Sequence, residues 1–177
     1  MLKLNLGSGS AKLDDFVNID INEDNKPDLV HNILERLPYP DSSIDEIVLF
    51  HTIEHIEKWK HKNLFLEIRR LLKPDGLFCI SYPEFSKIAQ FWLDNKYGDR
   101  DFWEATIYGR QLFKEDYHVC AIDSTALRVK LKECGLKMIS FKPEPNQEFN
   151  TMAYCTVDVP YVEYEMGILN DMTSICK

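Results

Sequence analysis

The stretch that decides the fold is LKLNLGSGSAKLDDFVNID, which runs from Leu2 to Asp20. It predicts a strand, a glycine turn and a second strand that ends in a carboxylate, the usual start of a nucleotide-binding sheet. Only residues 10–15 separate these two strands, and only residues 22–27 separate the second strand from the third. Because a parallel crossover usually takes about ten or more residues including its helix, the sequence predicts that both connecting helices are reduced to short straps.

The composition is that of a single globular domain. The 177 residues are 45% hydrophobic and 28% charged, which suits a chain with a sizeable core. No apolar run approaches the roughly 20 residues that span a membrane, so we expect a cytosolic protein with no membrane partner. The formal charge of -8 without a long basic run argues against nucleic acid as the main partner and favours a small molecule. Five cysteines without a CxxC pair indicate neither a disulfide framework nor a zinc ribbon.

Hydrophobic periodicity continues the α/β pattern along the chain. It predicts two helices, 62–72 and 124–134, the second with Ser124 as its N-cap. Short apolar runs predict strands at 2–6, 16–21, 28–33, 44–50, 77–82, 136–141 and 152–159. Several of these runs are apolar on both faces, as parallel strands are. Because no repeat or linker interrupts the pattern, we predict one domain over residues 1–177.

The glycine turn and the carboxylate after it are the first candidate site. Gly7 and Gly9 lack a Cβ, so the backbone can pass close to a ligand with its N–H groups exposed. Asp20, at the end of the second strand, can accept hydrogen bonds from both hydroxyls of a ribose. From these residues alone, a tight turn followed by a surface aspartate is the alternative.

Five ordered motifs resemble the class I S-adenosylmethionine-dependent methyltransferases, and the small type 11-like group most closely. In chain order they are NLGSG (5–9), NID (18–20), LPYPDSSID (37–45), HTIEH (51–55) and LKPDG (72–76). The resemblance covers residues 2–83 and, more loosely, residues 118–141. It implies an α/β fold with a Rossmann-like class I methyltransferase sheet, mostly parallel with an antiparallel last strand, and S-adenosylmethionine as the cofactor.

The resemblance also implies which residues meet the cofactor. Gly7 and Gly9 would line its methionine part, Asp20 would hold its ribose, and Asn32 with Ile33 would meet the adenine. Where the family often has aspartate, Asn32 can still accept a hydrogen bond through its amide oxygen. The full set of implied cofactor residues is Asn5, Gly7, Ser8, Gly9, Asp20, Ile21, Asn32, Ile33 and His51.

The implied reaction is O- or N-methylation of a small polar acceptor. Methyl transfer depends mainly on alignment, and a base is needed only if the acceptor starts protonated. His51 and His118 are the candidate catalytic residues, although each can equally be a structural histidine. The motifs of amino-directed and C5-directed DNA methylases are missing, which argues against DNA as the acceptor. A protein that binds S-adenosylmethionine without catalysing transfer is the main alternative.

The HTIEH motif raises a remote alternative, because His-x-x-Glu-His is also the inverted zinc-protease signature. A zinc hydrolase needs this motif inside a helix and a further ligand along the chain. Here the motif directly follows the predicted strand 44–50, so we predict no metal ligands.

The segment 84–118 is predicted to be an inserted helical lid that selects the acceptor. It is rich in aromatic residues, which suits a cover over a site, although its apolar side chains can equally pack on the sheet. Without the two crossover helices, one apolar face of the sheet would need another cover. The lid, residues 161–177 or a second copy could supply it, and we expect a homodimer.

Overall fold

The computed structural model describes residues 1–96, 100–112, 116–145 and 147–158. Its strands are β1 (Lys3–Leu6), β2 (Val17–Asp20), β3 (Leu29–Val30), β4 (Ile44–Phe50), β5 (Leu72–Pro83), β6 (Leu136–Glu144) and β7 (Gln147–Val157). They form one sheet in the order β3-β2-β1-β4-β5-β7-β6. β1 to β5 pair in parallel, and β7 is antiparallel to both β5 and β6. The predicted mostly parallel sheet with an antiparallel last strand is confirmed.

Four helices are described: α1 (His61–Leu71), α2 (Phe85–Leu93), α3 (Arg100–Tyr108) and α4 (Ser124–Glu133). α1 and α4 confirm the two predicted helices. The N-cap of α4 is Asp123 and not Ser124, because the Asp123 carboxylate accepts hydrogen bonds from the N–H groups of Thr125 and Ala126 at 2.9 and 3.2 Å. Within the described ranges no helix combines the length and the apolar character needed to cross a membrane.

Several strands differ in length from the sequence-based prediction, including β6, which is predicted to end at residue 141 and runs to Glu144. β3 is only two residues long, because the chain turns at Asn32, whose side-chain oxygen accepts a hydrogen bond from the Leu34 N–H. β5 begins five residues earlier than expected, since Leu72 already pairs with Ile44 of β4. β7 begins at Gln147 because a tight turn returns the chain directly from β6.

One face of the sheet is a continuous apolar core. Leu4, Ile47, Phe78 and Cys155 are neighbours in register across β1, β4, β5 and β7, and all four are buried. The buried residues of α1 and α4 belong to the same cluster and include Leu64, Phe65, Ile68, Leu127 and Leu131. These two helices therefore pack on this face of the sheet.

The opposite face of the sheet is polar where the two crossover helices are missing. The side chains in the neighbouring row of the register are Asn18, Asn5, Val48, Cys79 and Tyr154, in order from β2 to β7. Lys3 of β1 also forms an ion pair with Glu46 of β4 at 2.7 Å. The expectation of an apolar face is thus wrong for β1 and β2, whose strands alternate between apolar and polar residues.

The two straps are held to the sheet by the side chain of Asn18, which is 4% exposed. Its amide oxygen accepts a hydrogen bond from the Leu13 N–H, and its amide nitrogen donates to the carbonyls of Leu13 and Phe16. The same nitrogen donates to the Asp28 carboxylate at 2.8 Å, at the end of the second strap. Asn5 adds a bond from its amide to the carbonyl of Ala11. Buried backbone groups that a helix would pair internally are therefore paired by asparagine side chains.

We expect Asn18→Leu to destabilise the protein strongly. The substitution leaves several partly buried backbone groups of the first strap without partners, and each costs up to about 1 to 3 kcal/mol. Urea unfolding should show a loss of at least about 2 kcal/mol, whereas Asn22→Ala, which removes an exposed turn cap, should lose about 1 kcal/mol or less. Equal losses in the two variants would contradict this role of Asn18.

The homodimer stays a prediction, and the partly exposed side chains of Leu77 and Met152 are the apolar surface on this face of the sheet against which a second copy would pack. Residues 161–177, named above as another cover, lie outside the described residues, as do residues 97–99 and 113–115 of the lid segment. Light scattering at micromolar concentration should give twice the mass of the chain, and Met152→Glu should return it to a monomer. A monomeric parent protein would contradict the dimer.

Candidate functional site

The glycine turn after β1 leaves open space beside its backbone. Gly7 and Gly9 have left-handed φ angles of 65° and 52°, which favour glycine. A Cβ on Gly7 would lie 2.5 Å from the Thr52 methyl carbon, so packing also excludes a side chain there. A Cβ on Gly9 would meet nothing within 4 Å. Gly9 therefore borders a cradle in which a ligand can approach the main chain.

Asp20 closes this turn against β2. Its Oδ2 accepts a hydrogen bond from the Gly9 N–H at 2.7 Å, and its Oδ1 accepts from the Asn22 N–H at 2.8 Å and the Asn25 amide at 3.2 Å. A carboxylate offers about four acceptor positions, so about one is left for a ligand. Asp20 can accept both hydroxyls of a ribose only if the Asn25 side chain moves away. Ile21 beside it is 59% exposed and offers an apolar surface at the same edge.

Two further predicted residues, Asn5 and Ser8, support the turn from within. Asn5 is buried, and its amide donates to Asn18 Oδ1 at 2.9 Å. Ser8 is also buried, and its N–H donates to the Ile19 carbonyl at 3.0 Å. Both therefore hold β1 and β2 together, and a direct contact of either with a ligand stays a prediction.

Asn32 and Ile33 lie just beyond β3. The side-chain oxygen of Asn32 is used by the Leu34 N–H, and its nitrogen donates to Glu35 at 3.2 Å. The Ile33 side chain is 8% exposed and belongs to the apolar core. Adenine contact by this pair stays a prediction, and for Ile33 it would involve the backbone rather than the buried side chain.

A second group of polar side chains lies after β4, at the edge of the sheet next to the glycine turn. His51 has a left-handed φ of 47°, and its ring is held between two carboxylates. Nε2 lies 2.8 Å from Glu144 Oε2, and Nδ1 lies 3.5 Å from Glu54 Oε1. Burial favours the neutral ring, but these two carboxylates outweigh it and raise the pKa of His51 to about 9. His51 is therefore a cation at neutral pH and cannot serve there as a general base.

The surroundings of His118 favour the neutral ring, in contrast to those of His51. Burial lowers its pKa below the ordinary value for histidine, so its ring is neutral near pH 7. The ring packs edge-on against His55, with centroids 4.8 Å apart. Of the two predicted catalytic residues, His118 is thus the one that can accept a proton.

Both histidines line a cleft of about 510 Å³ that extends under α3. Its wall also contains Glu54, Arg110, Phe149 and Asn150. Two buried acceptor atoms in this wall, Glu54 Oε2 and Asn150 Oδ1, have no hydrogen-bond partner among the described residues. Because a buried unpaired polar atom costs about 1 to 3 kcal/mol, the cleft is suited to a ligand that presents hydrogen-bond donors or a cation.

Sequence reasoning missed Glu54, Glu144 and Asn150 as residues of this cleft. Glu54 was visible as the acid inside the HTIEH motif. No sequence motif indicated Glu144 or Asn150. Glu144 lies 93 positions after His51 in the sequence and reaches it only through folding of the β6–β7 hairpin, and Asn150 donates a hydrogen bond to Glu144.

The HTIEH motif does not form the zinc-protease arrangement. Ile53–His55 is a single 3-10 turn and not part of an α-helix. Together with the left-handed backbone at His51, this keeps the two histidines from sharing one helical face.

Comparison with known proteins agrees with this architecture. Residues 8–80 match the family model described as a methyltransferase domain. Over 56 residues the chain is 41% identical to a Mycolicibacterium smegmatis protein named "Probable S-adenosylmethionine-dependent methyltransferase", and the alignment covers 32% of this chain and 21% of that protein. The chain thus matches only about a fifth of this curated relative's length.

Two solved structures share the fold over most of their length. A Methanosarcina mazei S-adenosylmethionine-dependent methyltransferase has a TM-score of 0.65 at 16% identity, covering 88% of this chain and 91% of its own. The glycopeptide N-methyltransferase MtfA, solved with S-adenosyl-L-methionine, has a TM-score of 0.60 at 10% identity, covering 88% and 80%. The methyltransferase domain model thus matches residues 8–80, and the shared sheet shows that this chain has the fold of these S-adenosylmethionine-dependent methyltransferases.

Proposed function

We propose that this protein is a methyltransferase that binds S-adenosylmethionine and methylates an oxygen or nitrogen atom of a small polar acceptor. The observation that carries the proposal is that the open glycine turn and the polar cleft adjoin at one edge of the sheet. The Thr52 hydroxyl, one residue after His51, donates to the Gly7 carbonyl at 3.3 Å. Ligands bind at this carboxyl edge in open α/β sheets.

The residues of the glycine turn fit the proposed cofactor. The open space beside Gly9 suits a chain that passes close to the backbone, and the remaining acceptor position of Asp20 suits a ribose hydroxyl. The exposed Ile21 suits the flat apolar face of adenine. The proposed cofactor residues remain Asn5, Gly7, Ser8, Gly9, Asp20, Ile21, Asn32, Ile33 and His51.

The bound sulfonium would supply an electrophilic methyl carbon, so a bond from the acceptor atom to this carbon forms as the carbon–sulfur bond breaks and sulfur keeps the electron pair. The chain's own contribution is to hold and deprotonate the acceptor. The neutral ring of His118 can take the proton of a hydroxyl or ammonium group. Glu54 Oε2 and Asn150 Oδ1 can accept hydrogen bonds from the acceptor, which would pair both buried atoms.

α2 and α3 are proposed to act as the lid that selects the acceptor. Trp103 of α3 is buried, and its ring packs against Phe149 of β7 at 5.6 Å between centroids. Thr106, on the same helix, lines the cleft. One side of α3 thus packs on the sheet while another borders the cleft. The two explanations given for the aromatic residues, packing on the sheet and covering the site, therefore both apply to this helix. The lid segment 84–118 and the cytosolic location stay predictions.

We expect Asp20→Ala to weaken binding of S-adenosylmethionine at least tenfold. The substitution removes a charge-assisted hydrogen bond to the ribose, worth about 1.5 to 3 kcal/mol, and releases the Gly9 N–H that holds the turn closed. Titration calorimetry measures the affinity. Asp24→Ala removes the same charge from an exposed position in the following turn and should bind normally. Unchanged affinity in Asp20→Ala would exclude this cofactor assignment.

We expect turnover when the protein is incubated with labelled S-adenosylmethionine and a panel of sugars, nucleotides and small acids. His118→Asn should lower kcat by about a hundredfold or more, because general-base catalysis contributes about that much, while leaving cofactor affinity unchanged. Binding without turnover across the panel would favour the noncatalytic alternative. Full activity of a His51→Gln, His118→Asn double variant would exclude a catalytic role for both histidines. Catalysis would then depend only on aligning the acceptor with the methyl group.

A further inference from the structure

Glu54, His55 and His118 form a cluster, although a base at His118 and a hydrogen-bond acceptor at Glu54 do not by themselves require His55 beside them. One ligand atom from each residue lies within 4.8 Å of the other two. Glu54 and His118 line both the 510 Å³ cleft and a neighbouring cavity of about 240 Å³. The cluster therefore forms part of the wall between two cavities and can be reached from the cleft.

The carboxylate of Glu54 is buried, and among the described residues only Oε1 has a partner, His51 Nδ1 at 3.5 Å. Its side chain is 3% exposed, and its Oε2 atom accepts no hydrogen bond from the residues that the structure describes. An ionised carboxylate buried in this way is stable only when it is paired or coordinates a metal. Oε2 thus points to a ligand that carries positive charge.

The imidazole ring of His55 is oriented as that of a metal ligand is. His55 Nδ1 lies 3.0 Å from the Tyr117 carbonyl, to which it can donate only in the tautomer that leaves Nε2 unprotonated. The His118 ring packs edge-on against this ring, with centroids 4.8 Å apart. An N–H donated to a backbone carbonyl is the arrangement that fixes the tautomer and ring direction of metal-bound histidines.

The backbone holds the three residues together before any ligand binds. The Val119 N–H donates to the Glu54 carbonyl at 2.8 Å, and the His118 N–H donates to the Tyr108 carbonyl at 3.0 Å. At Gly109 the chain crosses so closely that a Cβ would lie 1.9 Å from the Asp116 carbonyl oxygen. The segment that carries His118 is therefore fixed against both α3 and the turn that carries Glu54.

The charges around the cluster leave Glu54 available to a cation. His51 has Glu144 as its close partner at 2.8 Å, whereas the distance from His51 to Glu54 is 3.5 Å. Arg110, also in the cleft wall, is 3.6 Å from Asp116. Arg110 thus has its own carboxylate, and the contact of Glu54 with His51 uses Oε1, so Oε2 is the atom of Glu54 that remains for a cation.

We propose that Glu54, His55 and His118 bind a divalent transition-metal ion, Zn²⁺ being the best match to one carboxylate and two imidazoles. This donor set is that of catalytic zinc sites, which keep a coordination position open, and also suits Fe²⁺. In a tetrahedral zinc site the ligand atoms lie about 3.3 Å apart. Binding would therefore shorten the distances between the three ligand atoms by about 1.5 Å at most, a change that rotation of the side chains can supply.

This site differs from the zinc-protease pattern of the HTIEH motif. It uses Glu54 as a ligand, replaces His51 by His118, and leaves His51 in its ion pair with Glu144. Its third ligand lies 63 positions after His55, so the short motif could not reveal it.

The metal site would deepen the proposed function, on which this step rests. An ion with an open position facing the cleft would bind oxygen donors and lower the pKa of a coordinated hydroxyl group, whose proton then passes to solvent. His118 would then act as a ligand, and the ion would replace it in activating the acceptor. The acceptor would then be a hydroxyl compound with a second oxygen close by, and methylation would occur on oxygen.

The test is Zn²⁺ binding by the full chain without cofactor or acceptor. Protein stripped with a chelator and dialysed against Zn²⁺ should retain one ion per chain, measured by elemental analysis, with the affinity taken from competition with a chromophoric chelator. Co²⁺ in place of Zn²⁺ should give the visible absorption bands of a site with low coordination number. Cysteine ligation would be recognised by an intense thiolate charge-transfer band, and its presence would overturn the assignment.

Matched variants decide which residues bind the ion. Glu54→Gln and His118→Asn should each weaken Zn²⁺ binding at least tenfold, whereas Glu57→Gln and His31→Asn, which alter the same residue types outside the cluster, should bind as the parent does. Circular dichroism of each variant verifies folding, and two independent ligand variants cover the case in which one of them unfolds. Failure to retain Zn²⁺, or equal retention by both ligand variants and controls, would overturn the site.

The outcome is separable from the proposed methyl transfer. Zn²⁺ binding with no calorimetric binding of S-adenosylmethionine would contradict the proposed function and leave the metal site standing. Cofactor binding without Zn²⁺ binding would contradict the metal site and leave the proposed function standing. If both bind, chelation should abolish turnover while leaving cofactor affinity unchanged.

Discussion

Every backbone N–H and C=O group that folding removes from water needs a hydrogen-bond partner, and this requirement shapes the first third of the molecule. A crossover helix would satisfy its own backbone, but the straps after β1 and β2 are too short to contain one. Groups of the first strap are paired instead by the side chains of Asn18 and Asn5, which project from the sheet itself. N–H groups of the second strap are paired by the side chains of Asp20 and Asn22. The polar residues of β1 and β2 are therefore structural, and the sheet gives up an apolar face to keep its short connections.

The same constraint ties stability to the proposed binding edge. Asp20 accepts hydrogen bonds from the turn before β2 and from the turn after it, so one carboxylate fixes the end of the strand and both flanking loops. A ribose hydroxyl would add to this network or replace Asn25 in it. The loops are held in place before binding, which lowers the entropy that a ligand must overcome.

The sequence was a good guide to strands, helices and the shortened crossovers, because hydrophobic period and chain length depend only on local order. It was a poor guide to polar partners. The Asn18 network, the Asp123 cap and the His51–Glu144 pair each join side chains whose proximity is created by packing. The predicted apolar face failed for a related reason: Lys3 and Asn5 sit within an otherwise apolar run, and the alternation becomes visible only once the register pairs them with Glu46 and Asn18.

The cleft shows how environment separates residues of one type. His51 and His118 were equivalent candidates by sequence, yet two carboxylates make the first a cation while burial keeps the second neutral. This difference in charge gives the two histidines different roles. A charged ring can orient an acceptor, whereas a neutral ring can accept its proton or coordinate a metal. Glu54 connects the two, because its side chain faces His51 and its backbone carbonyl accepts a hydrogen bond from the Val119 N–H, directly after His118. Any movement of α3 that displaces His118 would therefore be transmitted to the turn after β4, where the cleft meets the glycine turn.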